Sequence, residues 1–273
     1  MRILVAGGSG FIGRELITLL HKNEDTIFVY THQKKVVNNL GFQKEITVLT
    51  ADDEFPEVDV IVNLSGESIA EKRLSKSRLE EIQNSRIETI ELLSEKYANN
   101  FPSHFIQASA TGIYKDNCQQ DETGELSDTV YASICKTIEY KAKELQDKHK
   151  TNISICRIGV VIGDGGGLVN NLKYLPRLYI IGGDNYIPYL SVTDCALAIR
   201  HIITNKLYGV FNLCSDHFMT ANQILKLASS SKFLTIPIPK LVLKFDKRGD
   251  LLLTNQRIIP KALKENGFVF DRF

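Results

Sequence analysis

Several features that would place a protein in a special class are absent from this sequence of 273 residues. No apolar run approaches the roughly 18 residues that a membrane-spanning helix needs. Lysine and arginine number 33 against 32 aspartate and glutamate, which argues against nucleic acid or an anionic membrane as a partner. The six histidines show no metal-binding spacing, so the sequence predicts no metal site.

Cysteine is scarce and scattered along the chain. The five cysteines are odd in number and never spaced as C-x-x-C, which argues against a disulfide framework and against a zinc site. They are Cys118, Cys135, Cys156, Cys195 and Cys214. The amino terminus, "MRILVAGGSG", lacks the long apolar stretch and the cleavage site of a signal peptide. Together with thiols expected to be reduced, it predicts a cytoplasmic protein.

What the sequence does contain is an ordered alternation of short apolar runs and amphipathic stretches. Strands are expected over 2–6, 26–31, 45–50, 58–66, 104–109 and 153–163, and helices over 11–22, 76–98 and 130–148. Such alternation predicts an α/β fold with a doubly wound parallel sheet and helices on both of its faces.

The rhythm changes after Gly163, where shorter and mixed elements follow. We predict a helix over 194–204, a strand over 209–214 and a helix over 220–230 that begins with Thr220 as its cap. The chain is therefore predicted to have a first domain over 1–160 and a smaller carboxyl-terminal substrate lobe over 161–273. The strand at 209–214 is expected to return to the sheet, which would interleave the two lobes.

The string "GGSGFIG" joins the first expected strand to the first expected helix. Gly7 suits the tight turn, Gly10 lets the main chain approach a pyrophosphate, and Gly13 lets the helix pack on the sheet. The free N–H groups at the start of the helix favour the phosphates. We therefore predict a dinucleotide-binding Rossmann domain in which Ser9, Phe11 and Ile12 also contact the cofactor.

The end of the second expected strand indicates which dinucleotide is bound. NAD-binding domains have an acid there that holds the ribose 2′-hydroxyl group. This chain has Thr31, His32 and Gln33, followed by the cationic Lys34 and Lys35. An anionic 2′-phosphate suits these residues better than a ribose diol, so NADP is predicted and NAD is the less favoured alternative.

Longer strings carry a resemblance to a known group of proteins. They are "NLSGESIAEKR" (63–73), "SRIET" (85–89), "SATGIY" (109–114), "RIGVVIGDGGG" (157–167) and "NQRIIPKALKENGFVF" (255–270). With the glycine loop, they resemble the atypical short-chain dehydrogenases/reductases, in particular the "epimerase family" group of 39U type, which is related to sugar-nucleotide epimerases. The last string is similar to the carboxyl-terminal module of that group.

The resemblance implies an NADP-binding Rossmann lobe, with Thr31 and His32 near the 2′-phosphate. Arginine is more usual in the group where this chain has His32, which implies weaker affinity for the phosphate. The other positions that the resemblance implies around the cofactor are Leu64, Ser65, Glu81, Arg86 and Val161. It also implies a homodimer through the helices at 76–98 and 130–148. The chain ends at Phe273, earlier than members of the group, so a final helix is expected to be missing.

The reaction site of this group departs from that of working short-chain dehydrogenases. Those enzymes use a serine, a tyrosine and a lysine four residues later, whose charge lowers the pKa of the tyrosine from about 10. Here Tyr131 has the tyrosine position, but Cys135 has the lysine position. Lys136 comes one residue late, which turns it about 100° around the helix. The serine position falls on Ala110, beside Ser109.

Three interpretations of this departure stay open. Catalysis has moved to other residues, among which Tyr131, Tyr114, Ser109 and Glu67 are candidates. Alternatively, hydride transfer proceeds slowly with little acid–base help, or the protein is a non-catalytic NADP-binding sensor. The leading prediction is an NADP-dependent oxidoreductase or epimerase-like enzyme that acts on a small carbonyl or sugar-type molecule. Its best candidates for acid–base chemistry are Tyr131 and Ser109.

Two charged residues and one loop also allow alternatives. Arg157 suits either a substrate anion or a structural ion pair. Asp194 is expected to cap the helix at 194–204 or to lie in its first turn. The loop "DGGGLVNN" (164–171) is a candidate lid over the cleft.

Overall fold

A parallel sheet of seven strands forms the centre of the molecule. The computed structural model describes residues 1–32, 46–68, 72, 74–167, 176–229, 235–243 and 249–271. In chain order, the strands of the whole structure, of which seven form the central sheet, are β1 (Arg2–Ala6), β2 (Thr26–Tyr30), β3 (Ile46–Leu49), β4 (Val60–Asn63), β5 (His104–Ala110), β6 (Gln119–Gln120), β7 (Asn152–Ile158), β8 (Val160–Ile162), β9 (Arg177–Ile181), β10 (Tyr186–Ile187), β11 (Tyr189–Ser191), β12 (Gly209–Leu213), β13 (Met219–Thr220), β14 (Thr235–Pro239) and β15 (Arg257–Ile258).

Helices cover both faces of this sheet. In chain order the α-helices are α1 (Phe11–His21), α2 (Lys76–Lys96), α3 (Val130–His149), α4 (Val192–Thr204), α5 (Ala221–Ala228), α6 (Lys240–Leu243), α7 (Asp250–Leu253) and α8 (Lys261–Glu265). One turn of 3-10 helix, Thr111–Ile113, follows β5. None of the helices within the described ranges combines the length and the apolar character that crossing a bilayer requires.

The strands of the central sheet lie in the order β12-β7-β5-β4-β1-β2-β3, and every neighbouring pair is parallel. The chain runs outward from β1 to β3, then crosses back to β4 on the other side of β1. The loops that follow the adjacent strands β1 and β4 therefore run in opposite directions. They leave a crevice at the carboxyl ends of these two strands, which is where α/β proteins bind ligands. The predicted doubly wound α/β fold is confirmed.

The strands are apolar because helices bury them from both sides. Four of the five residues of β1 are buried, and alternate residues belong to different cores. One core lies between the sheet and helices α1 and α4. The other lies between the sheet and helices α2 and α3. The sheet is thus a rigid base for residues at its carboxyl edge.

The expected strand at 153–163 is two strands with different partners. β7 pairs with β5 and β12 in the central sheet, whereas β8 pairs with β11. The change occurs at Gly159, whose N–H donates to the carbonyl oxygen of Leu213 at 2.9 Å. A Cβ at Gly159 would lie 2.8 Å from the carbonyl oxygen of Pro188, so only glycine allows the two segments to pass this closely.

The carboxyl-terminal part of the chain forms small two-stranded pairings and also returns to the central sheet. The expected return at 209–214 is confirmed, because β12 pairs in parallel with β7. Thr220 caps α5 as predicted, and Gln223 completes a capping box with it. Residues 257–258 pair with 119–120, which joins the end of the chain to the segment after β5. The predicted boundary at residue 160 stays a prediction.

Candidate functional site

The glycine loop between β1 and α1 lies at the crevice beside β4. Gly7 has a φ of +79°, and a Cβ there would come within 2.7 Å of the main chain at Leu64 and Ser65. The Gly7 N–H donates to the carbonyl oxygen of Tyr30 at 3.1 Å, and the Gly10 N–H donates to the carbonyl oxygen of Gly7 at 3.0 Å. The loop is therefore held against three strands of the sheet.

Helix α1 begins at this loop with an open amino terminus. Gly10 is its exposed N-cap, no side chain caps the helix, and its first turn contains no acid. Ser9, Phe11 and Ile12 are half-buried around this end. A Cβ at Gly13 would overlap the carbonyl oxygen of Gly7, so the helix packs directly on the loop. Bare N–H groups at a helix start suit a pyrophosphate, and the cradle fits a dinucleotide.

Two predicted cofactor residues follow β2 at the same edge of the sheet. Thr31 is buried, and its N–H donates to the carbonyl oxygen of Leu49 at 3.0 Å. His32 is exposed, and its ring meets that of Tyr30 edge-on at 5.5 Å between centroids. Gln33, Lys34 and Lys35, on which the preference for NADP also depended, lie outside the described residues.

Leu64 and Ser65 continue β4 into the crevice. The Leu64 N–H donates to the carbonyl oxygen of Ala6 at 2.9 Å, which keeps the segment beside β1. The hydroxyl and N–H of Ser65 both donate to the side chain of Asn63. Asn63 is fully buried and donates in turn to Gln107 on β5 at 2.8 Å. This buried amide pair orients Ser65, and sequence reasoning did not identify it.

Arg86 reaches the end of β4 from helix α2. Its Nη1 donates to the carbonyl oxygens of Glu67 at 3.1 Å and Ile82 at 2.8 Å. Gly66 has a φ of +139°, and a Cβ there would lie 2.6 Å from the Arg86 Cζ atom. Arg86 is half-buried, and desolvation lowers the pKa of its guanidinium.

Glu81, which was predicted to lie near the cofactor with Arg86, forms an ion pair with Arg78 on the same helix. Its carboxylate lies 2.7 Å from Nη1 of Arg78, and half of its side chain is exposed. The hydrogen bond from Arg78 lowers the pKa of Glu81. Glu67, a candidate for acid–base chemistry, pairs with the same arginine at 2.8 Å. Both carboxylates are therefore engaged by a buried structural cation.

Val161 lies on β8 opposite Leu190, where a glycine-rich loop leaves the strand. This loop, residues 163–167, packs on the start of α1. Cβ atoms at Gly163 or Gly167 would come within 3.2 Å of the Phe11 ring, and Arg14 donates to the carbonyl oxygen of Gly165 at 2.9 Å. The described part of the candidate lid thus covers Phe11, and the rest of it, 168–171, lies outside the described residues.

Tyr131 and Cys135 lie on the first two turns of helix α3, which Thr129 caps. Tyr131 is half-buried and packs on the core under α2 and α3. Cys135 is 8% exposed, and burial raises the pKa of its thiol, as expected of a small buried side chain. Lys136 is half-buried, and its amine pairs with Asp128 at 3.0 Å; the loss of the usual reaction site on this helix stays a prediction.

Ser109 belongs to a buried polar network that runs toward the carboxyl-terminal module. Its hydroxyl donates to Glu139 at 2.8 Å, and Glu139 forms a buried ion pair with Arg157 at 2.8 Å. Nη1 of Arg157 donates to the hydroxyl of Tyr114, which donates to Asn212. Of the two alternatives for Arg157, the structure shows the ion pair.

Tyr114 is a structural member of this network. It is 1% exposed, and burial raises the pKa of its hydroxyl to about 12. Proton exchange near neutral pH is therefore strongly disfavoured at this hydroxyl. Glu139 was missed by sequence reasoning, although it stands one helical turn after Cys135 and two after Tyr131 on the same face.

Asp194 lies in the first turn of α4, one of its two predicted positions, and Ser191 is the cap. Its Oδ1 accepts from the N–H of Asp271 at 3.1 Å. Burial raises the pKa of this carboxyl group. This hydrogen bond from Asp271 to Asp194 therefore joins the carboxyl-terminal segment to helix α4.

A model of the NAD dependent epimerase/dehydratase family matches residues 3–214. The human protein named epimerase family protein SDR39U1 is 27% identical over 288 residues, which cover 99% of this chain and 96% of the human protein. The resemblance inferred from the sequence strings is therefore confirmed.

Two solved structures share the fold. A crystal structure of human SDR39U1 (isoform2) with NADPH matches with a TM-score of 0.82 and 24% identity, covering 99% of this chain and 95% of that one. The UDP-glucose 4-epimerase of Thermus thermophilus, in complex with NAD, matches with a TM-score of 0.79 and 19% identity, covering 100% and 95%.

Proposed function

Because this chain belongs to the NAD dependent epimerase/dehydratase family, we propose that it is an NADP-dependent oxidoreductase or epimerase-like enzyme acting on a small carbonyl or sugar-type molecule. The observation that carries the proposal is the glycine cradle. Gly7 and Gly13 leave no room for a Cβ, and the amino terminus of α1 beside them is open and uncapped by any side chain. Such a surface of N–H groups is suited to a pyrophosphate.

Different residues of the chain would contact different parts of the bound dinucleotide. Gly7, Gly10 and Gly13 would hold the pyrophosphate, while Ser65, oriented by Asn63, would line the middle of the cofactor. Arg86, on helix α2, would approach the cofactor beside Gly66, just after the end of β4. When bound, the dinucleotide supplies or accepts a hydride, and the protein supplies orientation.

The preference for NADP over NAD is supported by the end of β2. Thr31 and His32 occupy the position where an acid would hold a ribose diol, and the imidazole of His32 is exposed and can donate to a phosphate. The human relative's crystal structure contains NADPH, whereas the Thermus thermophilus enzyme contains NAD. We expect NADPH to bind at least about tenfold more tightly than NADH, a difference of about 1.4 kcal/mol.

Fluorescence titration of the protein with NADPH and NADH tests this preference directly, because the chain has no tryptophan to absorb or transfer light near the coenzyme. His32→Asp is the matched variant, and it should weaken NADPH binding while leaving NADH binding unchanged or stronger. Equal or tighter binding of NADH by the unaltered protein would contradict the assignment.

For the reaction itself, Tyr131 is the residue best placed to exchange a proton with a substrate oxygen. It is half-buried at the start of α3, and it has the tyrosine position of the family's reaction site. Ser109 would help less, because its hydroxyl proton is committed to Glu139. Turnover of carbonyl compounds with NADPH, lost in Tyr131→Phe, is the expected result.

A non-catalytic NADP sensor is the second candidate, and one observation favours it. Position 135 has a buried thiol in place of the lysine that lowers the pKa of the tyrosine. Tight NADPH binding without turnover of any carbonyl or sugar substrate, in the unaltered protein as in Tyr131→Phe, would favour the sensor over the enzyme.

A further inference from the structure

The hydroxyl proton of Ser109 has a fixed direction. The Oγ atom of this serine lies 2.8 Å from Oε1 of Glu139. Glu139 is 4% exposed, and its two oxygens accept from Nε and Nη2 of Arg157 at 2.9 and 2.8 Å. A carboxylate that faces a guanidinium with both oxygens is ionised, so it can only accept hydrogen bonds. The bond to Glu139 therefore uses the only proton of the serine hydroxyl.

Ser109 consequently presents an acceptor, and no donor, to the crevice. It is half-buried at the carboxyl end of β5, the edge of the sheet where the crevice lies. A carbonyl oxygen placed against it would leave two acceptors facing each other, and both would lose the hydrogen bonds that they make in water. A hydroxyl group in the same place would donate to Ser109 and stay hydrogen-bonded.

The neighbouring strand has the same polarity. The main-chain N–H of Ser65 faces Oδ1 of Asn63 at 3.2 Å, so the hydroxyl of Ser65, which meets the same oxygen, also has to donate. Asn63 then donates to Gln107 at 2.8 Å, and Gln107 donates to the carbonyl oxygen of Ala108 at 2.9 Å. This relay starts and ends on main-chain groups, whose polarity does not depend on how an amide is rotated. Ser65 therefore also presents only an acceptor to a ligand.

The two serines lie at the same edge of the sheet. Asn63 on β4 is in register with Gln107 on β5, and each serine comes two residues later on the same face of the sheet. Neighbouring strands are about 4.8 Å apart. Two adjacent acceptors at this spacing suit a ligand that has hydroxyl groups on neighbouring carbon atoms.

We propose that Ser109 is a specificity-determining residue, which accepts a hydrogen bond from a hydroxyl group next to the reacting carbonyl carbon of the substrate. The substrate class is then the α-hydroxy carbonyl compounds, and simple ketones and aldehydes are disfavoured. Glu139 acts through Ser109 as a positioning residue. This inference rests on the proposed enzyme function. The carbonyl carbon would take the hydride of NADPH and its oxygen would take a proton from Tyr131, so the products are a vicinal diol and NADP+.

Matched pairs of ketones test this specificity. Initial rates of NADPH oxidation are compared for hydroxyacetone and acetone, for acetoin and butanone, and for hydroxycyclohexanone and cyclohexanone. In the unaltered protein, kcat/KM should be at least about tenfold higher for the hydroxylated member of a pair, which equals about 1.4 kcal/mol and is within the range of one hydrogen bond.

Three serine variants show whether Ser109 sets this ratio. Ser109→Ala should bring it to within about threefold of one, because alanine offers no acceptor. Ser109→Thr keeps the hydroxyl group and should keep the ratio. Ser133→Ala removes an exposed hydroxyl from α3 and is the matched control, which should also keep the ratio.

Glu139→Gln tests the direction of the proton. The amide nitrogen of glutamine can donate to Ser109 and release the serine proton toward the substrate. The ratio should then fall at least about tenfold below that of the unaltered protein. A purely structural role of Glu139 would lower both rates together and leave the ratio unchanged, because both ketones are measured on the same protein.

A ratio near one in the unaltered protein, or an equal ratio in Ser109→Ala and the unaltered protein, would overturn the inference and leave the proposed enzyme function standing. An unchanged ratio in Glu139→Gln would overturn the positioning role. NADPH that binds but is not oxidised with any ketone of the panel would instead overturn the enzyme proposal, and the inference with it. Should Glu139→Gln not fold, Ser109→Ala decides alone.

Discussion

A single methyl group at position 13 would disturb the contact between α1 and the glycine loop. Its Cβ would overlap the carbonyl oxygen of Gly7 and lie 2.7 Å from the Cα atom of Gly8, both of them main-chain atoms that cannot rotate away. We expect Gly13→Ala to lower the free energy of unfolding by about 1–3 kcal/mol, as overpacking does. It should also weaken NADPH binding, because α1 must shift away from the loop.

Urea unfolding and NADPH titration check this expectation. Gly112→Ala is the control, because a Cβ at Gly112 meets nothing within 4 Å. A Gly13→Ala protein as stable and as tightly binding as the control would show that the packing at Gly13 is looser than described.

The sequence predicted the residues of the glycine loop because their roles are local. Gly7, Gly10 and Gly13 are identified by their spacing between a strand and a helix. Gly66 was not identified, because its role depends on Arg86, which is 20 residues away along the chain. For Arg157 two alternatives stayed open, since the partner of a lone charge is set by tertiary packing, here by Glu139.

At the scale of elements, a histidine joins β5 to β7. His104 is buried, and its Nε2 lies 2.7 Å from the Ser154 hydroxyl, which itself donates to the carbonyl oxygen of Leu207. The imidazole is therefore the donor, which it can be in its neutral form. Burial lowers the pKa of His104 from 6.5 to about 4.

This pKa predicts acid sensitivity with a definite sign. Above pH 6.5 the imidazole is neutral in both states, whereas between pH 6.5 and about 4 only the unfolded chain takes up the proton. Acidification through this window therefore destabilises the fold, by about 2 kcal/mol at pH 5. His104→Gln keeps an N–H donor without the titration, so its unfolding free energy should fall by about that much less between pH 7 and pH 5.

Urea unfolding of both proteins at the two pH values measures the difference. His217→Gln, at an exposed position, should behave like the unaltered protein. An identical loss of stability in the unaltered protein and His104→Gln would show that His104 does not carry this acid sensitivity.

The helices and most strands of the central sheet were predicted closely, whereas the division of the run at 153–163 into two strands was not. The helices expected over 76–98 and 130–148 are observed at Lys76–Lys96 and Val130–His149, because their apolar periodicity is sustained over several turns. The apolar run at 153–163 continues through Gly159 while its neighbour changes from β12 to β11. The hydrophobicity of a segment indicates that it is buried, but it does not indicate which neighbouring strand the segment pairs with.

At the scale of the whole molecule, the carboxyl-terminal segment completes the main core. Leu263, Phe268 and Phe270 are buried in the core between the sheet and helices α1 and α4. The rings of Phe268 and Phe270 meet edge-on at 4.8 Å between centroids. We expect Phe270→Ala to lower the free energy of unfolding by about 3–5 kcal/mol, because it leaves a cavity in that core.

Val269→Ala is the neighbouring control, since Val269 is 85% exposed, and it should leave the unfolding curve unchanged. Chemical unfolding followed by circular dichroism compares the two proteins. Equal stability of both variants would mean that the segment is not part of the cooperative core.

The position of β12 has a consequence for synthesis of the chain on the ribosome. This strand covers the outer edge of β7, yet 50 residues, 159–208, separate the two strands in the sequence. At roughly 5–20 residues per second, translation leaves the edge of β7 bare for several seconds. A bare apolar edge is where nascent chains pair wrongly with one another, so this protein is most vulnerable, and most in need of a chaperone, before its residue 213 has emerged.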